Sequence, residues 1–281
     1  MLQIGKINRL QVVDELPFGF YLSGENTDRI LLPTRSAPED CQVGQALDVF
    51  VYHDSDDRII ATTQVPKAMV DEIAVLQAKS VNKVGAFLDW GLDKDLLLPF
   101  NEQQKPISEG LRYVVYVFQD PYTDRLAAST KLRRFLSEEG HELTPGSKAK
   151  LIVCGRSDMG YKVVINGTHL GLLFKDEVFK PLKIGDSTEG FIKRIRDDGK
   201  IDVSLQLHHK QARKELTEQI IEDLIAHGGI SSLTDKSSPQ DITKRFDVSK
   251  NTYKKALGAL FKQKRILIGK DKITLINEAS K

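Results

Sequence analysis

Aromatic and cationic side chains recur at matching places along the first half of the chain. Phe18 and Tyr21 lie three residues apart with Arg58 after them, and Phe87 and Arg125 stand at the corresponding places further on. An aromatic ring can stack on a nucleic-acid base, and a guanidinium can hold a phosphate or stack on a base. For each single ring, packing into a β core is the competing interpretation. These five residues are the first candidates for a binding face.

An internal repeat would position these residues. LPFGFYL at 16–22 is followed by ILLP at 30–33, and VGAFL at 84–88 is followed by LLLP at 96–99. Each copy continues into alternating apolar residues, an acidic turn and a short segment that ends in serine or threonine. This pattern is typical of short antiparallel strands. Small closed barrels are favoured over an open sheet, because closure removes exposed strand edges.

A third and weaker copy follows the first two. The repeat therefore predicts three five-stranded barrels, at 1–65, 66–132 and 146–207, with a short helix and a loop between the second and the third. Trp90, the only tryptophan, follows the second copy's bend. We expect it to pack under the apolar segment 96–98, and a base-stacking surface is the alternative.

The last part of the chain changes to helical spacing. Residues 211–227 predict a helix, Ser238 and Pro239 begin a second one, and Ser249 caps a third. The inner stripe of that third helix is predicted to be Tyr253, Leu257, Leu260 and Phe261. Residues 265–276 predict a β-hairpin. Helix, helix, turn, helix and hairpin is the order of a winged helix-turn-helix, predicted here for 211–281. The fold class is thus mostly β with an α+β C-terminus.

The charge is uneven along the chain. From residue 208 onward there are 15 Lys or Arg and 9 Asp or Glu, a net charge of +6, whereas 1–207 holds 26 basic and 30 acidic residues, a net charge of −4. A basic tail indicates a polyanionic partner, and a solvated basic face or a protein-docking domain is the alternative. Most basic residues of this domain are lysines, which favours nucleic-acid binding through phosphate contacts, with weak sequence specificity. The candidate contacts in this domain are Lys244, Arg245, Lys250, Lys254, Lys255, Lys262, Lys264, Arg265, Lys270 and Lys272.

Two stretches carry a resemblance to a known module. FGFY at 18–21 and GAFLDWGLDKDLLLP at 85–99 resemble the S1 RNA-binding domain, an OB-fold barrel. The longer string, together with the terminal domain, is similar to the conserved virulence factor B family of bacterial S1-containing proteins. That resemblance implies three S1-like barrels followed by a winged helix, RNA binding, and a role in gene expression after transcription.

The copies depart from the S1 pattern in ways that differ between barrels. Val84 stands where the pattern has its first aromatic residue, and Pro33 and Pro99 stand where it has a histidine. The third copy has a more basic and less aromatic set at the corresponding places: Met159, Lys162, Phe174 and Lys200. Of these, Lys162 and Lys200 are its candidate RNA contacts.

The chain lacks the sequence motifs of common enzymes. It has no glycine-rich phosphate loop, no His-Glu-x-x-His and no Cys-x-x-Cys, so we expect no catalysis, no cofactor and no metal site. Cys41 and Cys154 are expected to be reduced, in a cytoplasmic protein without a membrane segment or a small-molecule substrate. The expected partner is single-stranded or structured RNA, with DNA or the ribosome as alternatives. The function hypotheses are a regulator that binds RNA, a transcription regulator that binds DNA, and a scaffold on the ribosome or an RNA-processing complex.

Overall fold

The three repeats fold as three barrels of five strands each. The structure, a computed structural model, describes residues 2–24, 29–178, 181–206, 209–246 and 248–276. Barrel 1 comprises β1 (Ile7–Leu16), β2 (Gly19–Ser23), β3 (Ile30–Pro33), β4 (Ala46–His53) and β5 (Ile59–Thr62). Barrel 2 comprises β6 (Ile73–Asn82), β7 (Gly85–Asp89), β8 (Leu96–Pro99), β9 (Arg112–Gln119) and β10 (Leu126–Ser129). Barrel 3 comprises β11 (Lys148–Arg156), β12 (Gly160–Ile165), β13 (His169–Phe174), β14 (Ser187–Ile195) and β15 (Ile201–Ser204).

All three barrels share one topology. The first strand pairs antiparallel with the second and the fourth, and the third strand closes the barrel by pairing parallel with the fifth. A glycine begins each second strand: a Cβ added at Gly19, Gly85 or Gly160 would lie 2.3, 2.4 or 2.1 Å from a carbonyl oxygen of the third strand. Only glycine permits that approach. The prediction of three closed five-stranded barrels is therefore confirmed.

Barrel 1 packs against barrel 2 through Trp90. The indole is 2% exposed and lies in one core cluster with Leu96 and Leu98, as expected from the sequence. It also meets two rings of barrel 1 edge to face, with centroids 5.7 Å from Phe50 and 6.4 Å from Tyr52. Such aromatic pairs add to the stabilisation by burial. Trp90 is thus a packing residue that joins two barrels.

Polar contacts hold the same junction. Lys94 donates from Nζ to the carbonyl oxygens of His53 and Asp54, at 2.9 and 2.6 Å, while its own carbonyl accepts the Trp90 Nε1–H at 2.6 Å. Burial lowers the pKa of the Lys94 ammonium, with a further contribution from the charge of Arg125. Arg125 itself pairs with Asp57 of barrel 1. Hydrogen bonds therefore hold the loop before β8 against the end of β4.

Barrel 2 packs against the linker and barrel 3. Tyr116 stacks on Phe135 of the linker, with centroids 4.3 Å apart and ring planes 12° from parallel. Phe118 lies 5.3 Å from the same ring. Cys154 of β11 is packed against the cluster that joins the two barrels, whose buried members are Val114, Leu132, Leu136 and Val164. The β9 side of barrel 2 is therefore covered by the linker and by barrel 3.

Corresponding residue pairs on the fourth and fifth strands differ between the barrels. The cross-strand pair is Tyr52 with Ile60 in barrel 1 and Phe118 with Ala127 in barrel 2, and all four side chains are buried. In barrel 3 the pair is Arg194 with Asp202. The Asp202 side chain is 1% exposed and accepts bonds from Arg194 Nε and Arg196 Nε, each at 2.8 Å. A buried carboxylate is tolerated there because two guanidinium groups satisfy it.

Burial raises the pKa of the Cys154 thiol from 9.0 to about 11. Because the folded-state pKa lies above the unfolded one, the neutral thiol's contribution to stability is complete below pH 9 and is lost as the pH rises toward 11. We expect a loss of about 2–3 kcal/mol across that range. Urea unfolding at several pH values should show this loss of unfolding free energy for the wild type and not for Cys154→Ala. Parallel pH profiles of the two proteins would contradict it.

The C-terminal domain follows the winged-helix order. It comprises α1 (His209–Ala226), β16 (Ile230–Ser231), α2 (Pro239–Phe246), α3 (Lys250–Lys262), β17 (Ile266–Ile268) and β18 (Ile273–Leu275). The Ser249 hydroxyl caps α3 by accepting the Thr252 N–H at 3.2 Å, as the sequence predicts. The three strands form one sheet in the order β16-β18-β17. The helices and the hairpin thus enclose a core of their own.

One predicted core residue of α3 is not in the core. Tyr253, Leu257 and Leu260 are each 1% exposed or less, whereas Phe261 is 52% exposed. At 3.6 residues per turn, Phe261 lies about 80° around the helix from Tyr253, at the edge of the apolar stripe. The expectation that its ring packs inward was therefore wrong.

Candidate nucleic-acid interface

The second and third strands of each barrel share an outer face with partly exposed side chains. Residues opposite each other in an antiparallel pair share a face. In barrel 1 the pair is Tyr21 with Leu31 and in barrel 2 it is Phe87 with Leu97, and all four are partly exposed. Pairs at corresponding positions in barrel 3 are Lys162 with Leu172 and Gly160 with Phe174. We call this surface the outer face of each barrel.

The residue before the first glycine of each second strand adds to the outer face. Phe18, Val84 and Met159 occupy this position and are 58%, 50% and 56% exposed. Three barrels therefore present an exposed apolar side chain at the same place, although only barrel 1 has an aromatic one. The exposure of Phe18 favours the surface interpretation of that ring over the core one.

The two candidate arginines of barrels 1 and 2 are already paired with carboxylates. Arg58 Nη2 lies 2.8 Å from Asp54 and 2.9 Å from Asp56, and Arg125 pairs with Asp57. A phosphate would have to compete with these acids. By sequence, barrel 1 carries 5 basic and 10 acidic residues and barrel 2 carries 8 and 9, net charges of −5 and −1. These two faces are poorly suited to a polyanion.

Barrel 3 combines an aromatic ring with cations. Phe174 is partly exposed at the end of β13, with Lys193 Nζ 5.9 Å and the Arg196 guanidinium 5.7 Å from the ring centroid. Both cations are also paired with acids, Lys193 with Glu177 and Arg196 with Asp202. Residues 146–207 hold 11 basic and 8 acidic residues, a net charge of +3. Barrel 3 therefore differs from barrels 1 and 2 in its net charge, which favours a polyanion.

Other candidates in barrel 3 lie around this ring. Lys162 is exposed on the outer face, and Lys175 follows Phe174 and is exposed as well. Lys200 is exposed but its Nζ lies 2.9 Å from Asp198, and this bond lowers the pKa of the Asp198 carboxyl. Lys193 and Arg196 were missed by sequence reasoning, because nothing in their spacing indicates that β14 brings them to Phe174.

The basic residues of the winged helix divide into two groups. Arg245 is engaged within the domain, since its Nη2 lies 2.6 Å from Asp223, and Lys250 Nζ donates to the Lys236 carbonyl oxygen at 3.3 Å. The others are exposed on α2, α3 and the β17–β18 hairpin: Lys244, Lys254, Lys255, Lys262, Lys264, Arg265, Lys270 and Lys272. Among the described residues, Lys254, Lys262 and Lys264 enter no ion pair. The second group is placed to meet phosphates.

In the described part of the chain, no group of three or more His, Cys, Asp or Glu side chains is arranged to hold a metal ion. No helix among those residues is both long enough and apolar enough to cross a membrane.

Comparison with known proteins agrees with the architecture. Residues 4–64 match the model of the S1 domain, and residues 218–275 match the model of the CvfB-like winged helix domain. The uncharacterized protein YitL of Bacillus subtilis is 27% identical, over 92% of this chain and 88% of the relative. Conserved virulence factor B of Staphylococcus aureus strain N315 is 26% identical, over 97% of this chain and 94% of the relative.

A solved structure from Streptococcus pneumoniae also matches along the chain. It is described as a multidomain protein with nucleic acid binding domains, and it is 22% identical with a TM-score of 0.43, over 97% of this chain and 98% of the other. The S1 and winged-helix matches support nucleic-acid binding. The relatives confirm the resemblance inferred from the sequence. The chain is similar to the conserved virulence factor B proteins over nearly its whole length.

Proposed function

We propose that this protein binds single-stranded RNA in the cytoplasm and regulates gene expression after transcription. The observation that carries the proposal is the partly exposed ring of Phe174 on the outer face of an OB-type barrel, with Lys193 Nζ 5.9 Å and the Arg196 guanidinium 5.7 Å from its centroid. Single strands bind such barrels by stacking bases on aromatic rings while cations follow the backbone. The basic residues of the winged helix supply a second cationic surface.

The strand is expected to be unpaired where it meets barrel 3. A ring can stack only on a base whose face is free, and the bases of a duplex are already stacked on each other. A DNA-binding regulator would need side chains that read base edges, chiefly Arg, Asn and Gln. On α3 the exposed polar residues are lysines and Asn251. RNA with exposed bases is thus the favoured ligand.

Barrels 1 and 2 are proposed to support binding rather than to carry it. Their net charges are −5 and −1, whereas that of barrel 3 is +3. Phe18, Tyr21 and Phe87 remain as apolar surface that could meet a base already held by barrel 3.

Replacing Phe174 by alanine should weaken the binding of a labelled oligouridylate by about tenfold, because one base loses its stacking partner. Affinity should be measured by fluorescence anisotropy at fixed salt. Phe174→Tyr should restore most of it. The matched control is Phe100→Ala, which removes a ring that is 52% exposed from the corresponding region of barrel 2 and should leave affinity unchanged.

Two results would contradict the proposal. One is a wild-type protein that retains no single-stranded RNA at low salt, where phosphate contacts are strongest. The other is clear preference for duplex DNA carrying a defined site, which would favour the transcription regulator instead. Equal losses of RNA affinity in Phe174→Ala and Phe100→Ala would show that the binding site is not on barrel 3.

A further inference from the structure

His53 lies at the junction of barrels 1 and 2, where its main chain and its side chain are in different situations. It is the last residue of β4, and its carbonyl oxygen accepts a hydrogen bond from Lys94 Nζ at 2.9 Å. Its imidazole Nδ1 is buried and has no hydrogen-bond partner among the described residues. In native structures nearly all buried polar atoms have a partner. The junction thus contains a titratable ring with one unsatisfied nitrogen.

The neutral form of the His53 imidazole fits this position better than the charged form. A neutral ring carries one N–H, so its Nδ1 is a bare lone pair when Nε2 holds the proton. The imidazolium carries an N–H on both nitrogens, and its Nδ1–H would be a buried donor without an acceptor. A donor left unsatisfied in this way is costly. The geometry of the closed junction therefore disfavours protonation of His53.

The charged groups that act on the His53 ring come from both barrels. Asp57 belongs to the β4–β5 turn, Lys94 to the loop before β8, and Asp124 and Arg125 to the β9–β10 turn. Burial lowers the pKa of the imidazole, and the charges of Lys94 and then Arg125 lower it further, against the two carboxylates. Arg125 is paired with Asp57. Lys94 is therefore the main cation that a charged His53 ring would oppose.

Lys94 is also the residue that supports Trp90. Its carbonyl oxygen accepts the indole Nε1–H at 2.6 Å, while its Nζ holds the carbonyl oxygens of His53 and Asp54. Repulsion between an imidazolium and the Lys94 ammonium would act on the loop that ties the two barrels together. Movement of this loop away from β4 would separate the two cations and let water reach Nδ1. A protonated His53 thus favours an open junction.

We propose that the junction of barrels 1 and 2 is a pH-sensitive joint, closed while the His53 imidazole is neutral and opened when that ring takes up a proton. Because the pKa of His53 in the closed state lies below 6.5, its contribution to closure is complete above pH 6.5 and is lost as the pH falls through the closed-state pKa. Opening would let barrel 1 change its angle to barrel 2. This property does not depend on what the barrels bind.

Trp90 reports on the joint in the full-length protein, because it is the only tryptophan and Lys94 holds its indole N–H. Hydrogen exchange of that N–H, followed by NMR and divided by the exchange rate of free indole at the same pH, gives the opening constant. In the wild type this constant should rise several-fold from about pH 7.5 to about pH 5.5. The limit is about tenfold, set by the protonation of a free imidazole of pKa 6.5.

Two variants separate His53 from the other titrating groups. His53→Asn keeps a polar side chain that cannot become charged, so its opening constant should stay level over the same pH range. The matched control is His141→Asn, which removes an imidazole that is 69% exposed in the segment before β11 and should follow the wild type. A measurement that needs no variant is the carbon-13 titration of the wild-type imidazoles, in which His53 should titrate below pH 6.5.

Three results would overturn the inference. The first is a wild-type opening constant that changes by less than about twofold over this range, where free imidazole becomes charged. The second is the same rise in His53→Asn as in the wild type. The third is a wild-type His53 that titrates at pH 6.5 or above. Each of them would leave the proposal of RNA binding standing, since that proposal is tested by affinity alone.

Discussion

Trp90→Ala is expected to lower the free energy of unfolding by about 3–5 kcal/mol, the largest effect of any single substitution considered for this chain. The indole fills the space between barrel 1 and barrel 2, with Phe50 and Tyr52 at its edges and its Nε1–H bonded to the Lys94 carbonyl oxygen. Alanine would leave a cavity there and remove the support of the Lys94 loop. The two barrels should then unfold at different urea concentrations.

Urea unfolding followed by circular dichroism measures this effect, because the variant has no tryptophan to report by fluorescence. Tyr122→Ala is the matched control: it deletes an aromatic ring of the same barrel that is 95% exposed, so its unfolding curve should overlay that of the wild type. A single transition for Trp90→Ala within about 1 kcal/mol of the wild type would show that the junction does not depend on this ring.

Reversing two exposed charges of α3 should have the largest effect on binding. In Lys254→Glu with Lys262→Glu, the affinity for single-stranded RNA is expected to fall on the order of 100-fold at low salt, about tenfold for each lost charge-assisted contact. The slope of log affinity against log salt should become shallower, because fewer counterions are released. Filter binding or anisotropy over a salt series gives both quantities.

The control must carry the same change in total charge. Lys83→Glu with Lys105→Glu reverses two exposed lysines of barrel 2 and should change the affinity only slightly. Equal losses of RNA affinity in both double variants would mean that binding depends on the total charge of the protein and not on Lys254 and Lys262. Far-UV circular dichroism should confirm that the helices persist, since both replaced α3 residues are exposed.

The barrels could be predicted from the sequence because their signals are local. Strand alternation and the glycine that begins the second strand recur in each copy, and Gly19 and Gly85 have the same steric cause in the structure. The packing between barrels could not be predicted in the same way. Trp90 meets Phe50 across 40 positions of sequence, and no periodic pattern reports which face of one barrel covers the next.

In the candidate site, too, local features could be predicted from the sequence and long-range contacts could not. The cluster of lysines on the winged helix follows from helical spacing, whereas the exposure of Phe18 could not be predicted, because a β core was an equally good interpretation. Arg58 and Arg125 fit the family pattern, but their pairing with Asp54 and Asp57 depends on how turns fold back. Phe261 was misplaced because a residue at the edge of an apolar stripe can face either way. Long-range contacts decide such positions, and periodicity does not.

The cross-strand pair on the fourth and fifth strands differs according to the position of the barrel in the chain. Tyr52 with Ile60 and Phe118 with Ala127 are apolar pairs that the next unit of the chain covers, whereas Arg194 with Asp202 is polar. In repeat proteins the terminal repeat has a polar outer side, while inner repeats are stabilised by their neighbours. Barrel 3 is the last of the three barrels, and its pair at this place is polar. The order of the barrels is encoded in the barrels themselves: a copy of barrel 1 or barrel 2 moved to the end of the array would expose an aromatic surface, and barrel 3 moved forward would offer its neighbour a salt bridge in place of a hydrophobic contact.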